Sequence, residues 1–163
     1  MAEELKMLIG TYTENSSSKG IYFYSFSQEN SESKEISTIM SGNPSFLAIS
    51  ENKTNFYSVN EYNTGKQAVS SFLLHNNEMT KLKEIHCGFK GKSGVDPCNL
   101  LIFNDYLISL NYTGGSFTLF ELDSGSKDLT KSVQYFSFSE KSHFHCDVLS
   151  PDKKYIFISI KDH

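Results

Sequence analysis

The sequence predicts an all-β protein, and three observations carry that prediction: short apolar runs separated by polar turns, no stretch of useful length with a helical period, and a weak internal repeat of roughly fifty residues. Asn43-Pro44-Ser45, Asp96-Pro97-Cys98 and His143-Phe144-His145 open three equivalent stretches, each made of an apolar run, a polar turn and an answering apolar run. Units of this length built from short strands cannot bury their faces alone and must stack. That is the pattern of β-propeller blades, here four-stranded and antiparallel.

The elements follow in order from this phase. Met7-Leu8-Ile9-Gly10 is in phase with the answering runs that end at Asn60 and Asn111, so the chain enters at the second strand of a unit. Residues 7–39 form an incomplete first blade, with further strands at 21–26 and 35–39. Residues 43–86 form a second blade, with strands at 46–49, 56–59, 68–72 and 79–85, and residues 96–136 form a third, with strands at 100–103, 106–110, 117–120 and 129–136. Residues 143–163 supply the first half of a fourth, ending on the run 155–160. Phe26, Phe72 and Phe120 stand in phase as the last large aromatic of the third strand of each unit. Alternation along the strands is imperfect, as it is for strands packed on both faces. Clusters of Gly, Asn, Asp and Ser supply the turns, and Gly114-Gly115 reads as a tight turn between strands because no helix follows it. About three blades are therefore expected in a single domain, with the ring not closed. Open end strands carry unpaired backbone groups, so the chain is expected to be the front part of a longer one, its edges self-associating or pairing with the missing blades.

Composition narrows the function classes. The net charge is −4, and the 15 cations are all dispersed lysines, which argues against a nucleic-acid surface. The acidic start, residues 1–6, lacks the apolar core of a signal peptide, and no apolar run approaches the roughly 20 residues of a membrane span. Cys87, Cys98 and Cys146 are odd in number and show no C-x-x-C spacing, so neither a disulfide framework nor a zinc site is expected. No cofactor and no metal are expected, and the setting is expected to be cytoplasmic. His75, His86 and His163 have no supporting constellation, and Lys81, Lys83, Lys90 and Lys92 read as a solvated edge or loop.

In an antiparallel hairpin the start of the first strand and the end of the second lie at one end of the sheet. Asn43, Asp96 and His143, with Ser45, Cys98 and His145, are therefore expected to share one rim with Asn60-Glu61 and Asn111-Tyr112. Convergence of this polar set at the mouth of a central channel is a default binding site.

Gly10-Thr11-Tyr12-Thr13, residues 43–50, Val59-Asn60-Glu61, Asp96-Pro97-Cys98, residues 111–116, and His143-Phe144-His145 with Ser150-Pro151-Asp152 resemble, in order along nearly the whole chain, the seven-bladed β-propeller lactonases. The best-known members of that family are 6-phosphogluconolactonases, with a carboxymuconate-lactonising branch. Three departures stand out. Asn99 replaces a His common in the family, the segment 138–142 lacks the longer loop and the Pro that usually precede the His-x-His element, and a full member continues into later blades that supply further acidic and Arg groups.

The resemblance implies hydrolysis of a sugar δ-lactone, in particular 6-phosphogluconolactone to 6-phosphogluconate. The alternatives are a non-catalytic propeller fragment or scaffold, and a lactonising relative. It implies that His145 is the general base or proton shuttle, that His143 orients or replaces it, and that Asp96, Glu61, Asn43, Asn60, Asn99 and Asn111 fix sugar hydroxyls. A substrate phosphate would be met by Lys or by residues beyond the C-terminus. For Asn43, Asn60 and Asn111 a structural reading, hydrogen bonding between blades, stands ahead of ligand binding. For Asp96 the two are even, since Asp before Pro is also a turn device. For Cys98 a small buried hydrophobe is favoured over a nucleophile.

Overall fold

The computed structural model describes residues 4–62, 67–139 and 141–161. A three-stranded sheet comes first, β1 (Glu4–Gly10), β2 (Gly20–Ser27) and β3 (Ser33–Met40), paired in that order. A four-stranded sheet follows, β4 (Leu47–Ile49), β5 (Asn55–Asn60), β6 (Ala68–His75) and β7 (Glu78–His86). After a short ribbon, β8 (Gly88–Phe89) with β9 (Lys92–Ser93), come β10 (Val95–Phe103), β11 (Tyr106–Thr113), β12 (Ser116–Leu122) and β13 (Leu129–Ser137). The last pair, β14 (His143–Leu149) and β15 (Ile156–Lys161), meets β11 through the single bridge Thr113 to His143. All pairings are antiparallel, and no strand closes the sheets into a ring among the described residues.

Packing explains the imperfect alternation. Every residue of β5 is buried, because its two faces meet different sheets. Phe56 faces the first sheet, where it joins Ile21 and Phe72, while Tyr57 and Val59 face the third, where they meet Leu100, Leu107, Phe120, Leu122 and Leu129. Neighbouring strand residues point to opposite faces, so a strand sandwiched between two sheets is apolar at odd and even positions alike. β11 repeats the device: Leu107 packs toward the second sheet, and Ile108 and Leu110 pack toward Phe144, Ile156 and Ile158. β3, β7 and β13 expose polar side chains, as outermost strands must.

Some details differ from the sequence reading. The first strand begins at Glu4, ahead of the apolar run, because its backbone continues the pairing with β2 up to Ser27. Lys92 belongs to β9, and Lys90 makes the β8–β9 turn in the left-handed region at φ 50°, in a ribbon too short to show a period. Phe72 and Phe120 are fully buried, whereas Phe26 is only half-buried, near the solvent end of β2. Val148 and Phe157 on the last pair, and Tyr155 just ahead of β15, stay 58%, 59% and 64% exposed. His163 lies outside the described residues.

Candidate functional site

The site is built at the rim where β4, β10 and β14 start and β5 and β11 end. A cleft of about 410 Å³ there is lined by Tyr12, Ser45, Glu61, Asp96, Cys98, Tyr112 and His145. The loop after β1, the ends of the four-stranded sheet and the sheet that joins β10, β11 and β14 contribute to it. A second cleft, of about 390 Å³, lies at the opposite end, floored by Ile49, Tyr57, Ile102 and Leu149. Its lysines are already engaged, Lys127 with Asp105 and Lys153 with Glu51, and no histidine among the described residues lines it. The first cleft is therefore the candidate site.

Glu61 follows directly on the end of β5, and its backbone N–H donates to the Asn43 carbonyl at 3.2 Å. Its Oε2 accepts two hydroxyl hydrogen bonds, from Tyr12 Oη at 2.6 Å and Ser45 Oγ at 2.7 Å. This carboxylate is aimed by groups from two other segments. The Glu61 hydrogen bond, followed by burial, pushes the Tyr12 phenol up, so it remains a donor at neutral pH. Asp96 sits on β10 in the left-handed region at φ 54°, just before the irregularity between Pro97 and Asn99 that re-aims this strand. Its Oδ2 accepts from Thr113 Oγ1, and Gln67 Nε2 lies 3.5 Å from Oδ1.

His145 is exposed and meets Tyr112 edge-on with ring centroids 5.9 Å apart. It lies at the register shift of β14, between Phe144 and Cys146, where an unpaired residue is turned away from the ladder. His143 is placed differently. Its ring stacks on Tyr112 at 4.4 Å, and its Nδ1 is 3.2 Å from the Tyr112 carbonyl oxygen, to which only an N–H can donate. It does not line the cleft; it braces Tyr112, which does.

The asparagines lie within the hydrogen-bonded frame, and none of them lines the cleft. Asn43 is 1% exposed; its Oδ1 accepts from Thr13 N at 2.8 Å and Glu14 N at 3.0 Å, and its Nδ2 donates to the Glu61 carbonyl at 2.8 Å. It ties the loop after β1 to the end of β5. Asn60 Nδ2 donates to the Gly42 carbonyl at 2.7 Å, and its Oδ1 accepts from Ser70 Oγ at 2.6 Å. Asn111 is fully buried with its Nδ2 toward Ser116 Oγ at 3.1 Å, and it packs so closely on Gly94 that a Cβ there would lie 2.4 Å from Nδ2. Asn99 is buried as well. Asn43 and Asn60 satisfy buried backbone groups at strand ends sandwiched between sheets, whereas Asn111 bonds side-chain hydroxyls, and the buried Oδ1 atoms of Asn99 and Asn111 have no hydrogen-bond partner among the described residues. Asn43→Ala is expected to cost about 1–3 kcal/mol of stability, the penalty for orphaning buried donors, as read by urea unfolding.

Two further titratable groups lie near the cleft. Burial, and then the charges of Glu61, Asp147 and Asp96, push the Cys98 thiol up to about 12, which removes it as a nucleophile near neutral pH. Its Sγ rests 3.3 Å from the Phe144 carbonyl oxygen. Burial raises the Asp147 carboxyl to about 7, and its Oδ2 has no hydrogen-bond partner among the described residues. A carboxyl whose folded value lies above its unfolded one holds its proton more tightly in the folded chain. Stability is then greatest below about pH 4 as far as this group is concerned, and falls as pH rises toward 7. Asp147→Asn is expected to abolish this dependence and to stabilise the protein at about pH 8 by about 1–3 kcal/mol, after allowance for the part exposure of the side chain. Urea titrations at acid and alkaline pH measure the difference.

The sequence reading did not single out Tyr12. The signal was its phase, two residues beyond Gly10, which itself aligns with Asn60 and Asn111.

Comparison with known proteins agrees with this architecture. Residues 6–160 match the family model described as lactonase, 7-bladed beta-propeller. Among solved structures, a candidate 6-phosphogluconolactonase of Bacteroides uniformis is 35% identical, with a TM-score of 0.84 over 96% of this chain and 47% of its own. A second, from Bacteroides fragilis, is 32% identical, with a TM-score of 0.85 over 96% of this chain and 45% of its own. A periplasmic gluconolactonase of Pseudomonas aeruginosa shares the fold at 23% identity, with a TM-score of 0.83 over 97% of this chain and 47% of its own. The chain thus spans a little under half the length of these solved relatives. No curated protein matches it.

Proposed function

Because the chain belongs to the seven-bladed β-propeller lactonase family, we propose that its rim cleft serves the hydrolysis of a sugar lactone. The observation that carries this reading is the meeting, in one cleft, of the exposed imidazole of His145 with the Glu61 and Asp96 carboxylates and the Tyr12 and Ser45 hydroxyls.

Opening a lactone requires water to add to the acyl carbon, a base to take the proton of that water, and cleavage of the bond to the ring oxygen, which leaves as a hydroxyl. His145 is the proton acceptor and returns the proton to the departing oxygen. Glu61 and Asp96 accept hydrogen bonds from the hydroxyls of the sugar and hold its ring against Tyr12 and Tyr112, so that the acyl carbon lies near the imidazole. His143 acts through Tyr112, which it braces from behind.

The family resemblance nominates 6-phosphogluconolactone, with 6-phosphogluconate as product. The test is hydrolysis of freshly generated lactone, phosphorylated and unphosphorylated, followed by proton release and corrected for spontaneous opening. Turnover above that background is the expected result. No acceleration with either lactone, by protein shown to be folded, would refute the reading.

A further inference from the structure

Tyr12 and Glu61 are joined by two routes. Through side chains, Tyr12 Oη donates to Glu61 Oε2 at 2.6 Å, and Ser45 Oγ donates to the same oxygen at 2.7 Å. Through the frame, the buried Asn43 accepts on Oδ1 from the N–H groups of Thr13 and Glu14, which directly follow Tyr12. Asn43 also holds the backbone of Glu61 on both sides, donating from Nδ2 to its carbonyl at 2.8 Å and accepting its N–H at 3.2 Å. The two routes close a ring of hydrogen bonds around one asparagine. Gly10 seats the loop, because β1 ends so near the next segment that a Cβ there would collide with the Pro44 carbonyl oxygen. The Tyr12 carbonyl is in turn capped by Ser16 Oγ at 2.8 Å.

A carboxylate held through its backbone by a buried amide, and at one oxygen by two hydroxyls, has lost its rotamer freedom before a ligand arrives. That ordering is then not repeated on binding, which is how preorganisation raises affinity. Both hydroxyls use Oε2, so Oε1 stands outside this network and is available to accept from a sugar hydroxyl. We infer that Tyr12 is a positioning residue: its hydroxyl acts on the substrate only through Glu61, by locking that carboxylate in place, while its ring keeps its place in the cleft wall. This rests on the lactonase reading, in which Glu61 holds a sugar hydroxyl.

The experiment is a double-mutant cycle of Tyr12→Phe and Glu61→Ala. It is read in kcat and KM for 6-phosphogluconolactone and, in parallel, by calorimetry with 1,5-anhydroglucitol 6-phosphate, which cannot be hydrolysed. Tyr12→Phe keeps the ring and is expected to raise KM, and to weaken binding of the analogue, by about tenfold, the factor that one hydrogen bond to a charged group supplies. A loss of binding common to ground and transition states should leave kcat within about twofold. In the Glu61→Ala background the same substitution should do nothing further, because its target is gone. NMR of isotope-labelled tyrosine gives a readout free of activity. The Tyr12 phenol, held up first by the Glu61 hydrogen bond and then by burial, should titrate nearer the ordinary tyrosine value in Glu61→Ala. Equal losses from Tyr12→Phe in both backgrounds would mean that the hydroxyl touches the substrate itself, and would overturn the inference. So would normal binding and turnover in Tyr12→Phe, an unmoved Tyr12 titration, or an analogue that does not bind. Coupled losses of binding in a protein that shows no turnover would sink the lactonase reading alone and leave the positioning role standing.

Discussion

Replacing His145 with alanine is expected to lower lactone hydrolysis by about 10²–10⁴-fold, the usual contribution of a positioned acid–base group, while leaving the fold almost unchanged. The second half of that expectation follows from placement. His145 is exposed, sits at a register shift where it pairs with no residue of β15, and touches Tyr112 only edge-on. Its loss removes little buried surface. His143→Ala should behave in the opposite sense, with a smaller fall in rate, under about tenfold, and a measurable loss of stability from the lost stacking on Tyr112. Paired kinetics and thermal melts of the two variants decide the matter. Full turnover in His145→Ala, or a loss of activity that only tracks unfolding, would make it a structural rim residue.

Phe72→Ala is expected to produce the largest loss of stability, about 3–5 kcal/mol, the range for emptying a buried aromatic site. Phe72 is fully buried and stacks on Phe56 with ring centroids 4.7 Å apart and planes 8° from parallel. With Ile21 these rings form the compact cluster that joins the first sheet to the second. Truncation therefore opens a cavity at the seam between sheets as well as within one. Urea unfolding gives the magnitude, and limited proteolysis locates it: residues 4–40 should become the first region cut. A loss below about 1 kcal/mol, or cleavage spread evenly over the chain, would show that the two sheets are held together elsewhere.

Much of the architecture was legible because the repeat carries it. The runs at 56–59 and 106–110 fall within β5 and β11, and the turns between them coincide with clusters of Asn, Asp, Ser and Lys. The rim was legible for the same reason: hairpin geometry alone groups Ser45, Glu61, Asp96, Cys98, Tyr112 and His145, and the cleft contains them all. The β8–β9 ribbon was not legible, because two-residue strands have no period to detect.

Membership of the rim is a local property, set by phase and by the alternation of side chains along a strand, and one dimension of information suffices for it. Which rim residues turn outward is a different kind of fact. Asn43 and Glu61 both look like polar rim groups in the chain, yet Asn43 is consumed by Thr13 and Glu14, about thirty positions earlier, whereas Glu61 is presented to the cleft by Tyr12, forty-nine positions away. His143 and His145 are two residues apart, and a register shift in β14 together with the ring of Tyr112 sends one behind the wall and the other onto it. The partners that bury Asn43 and aim Glu61 come from the loop after β1, outside the sheet that carries them, so it takes the tertiary packing to separate the frame of this site from its working surface.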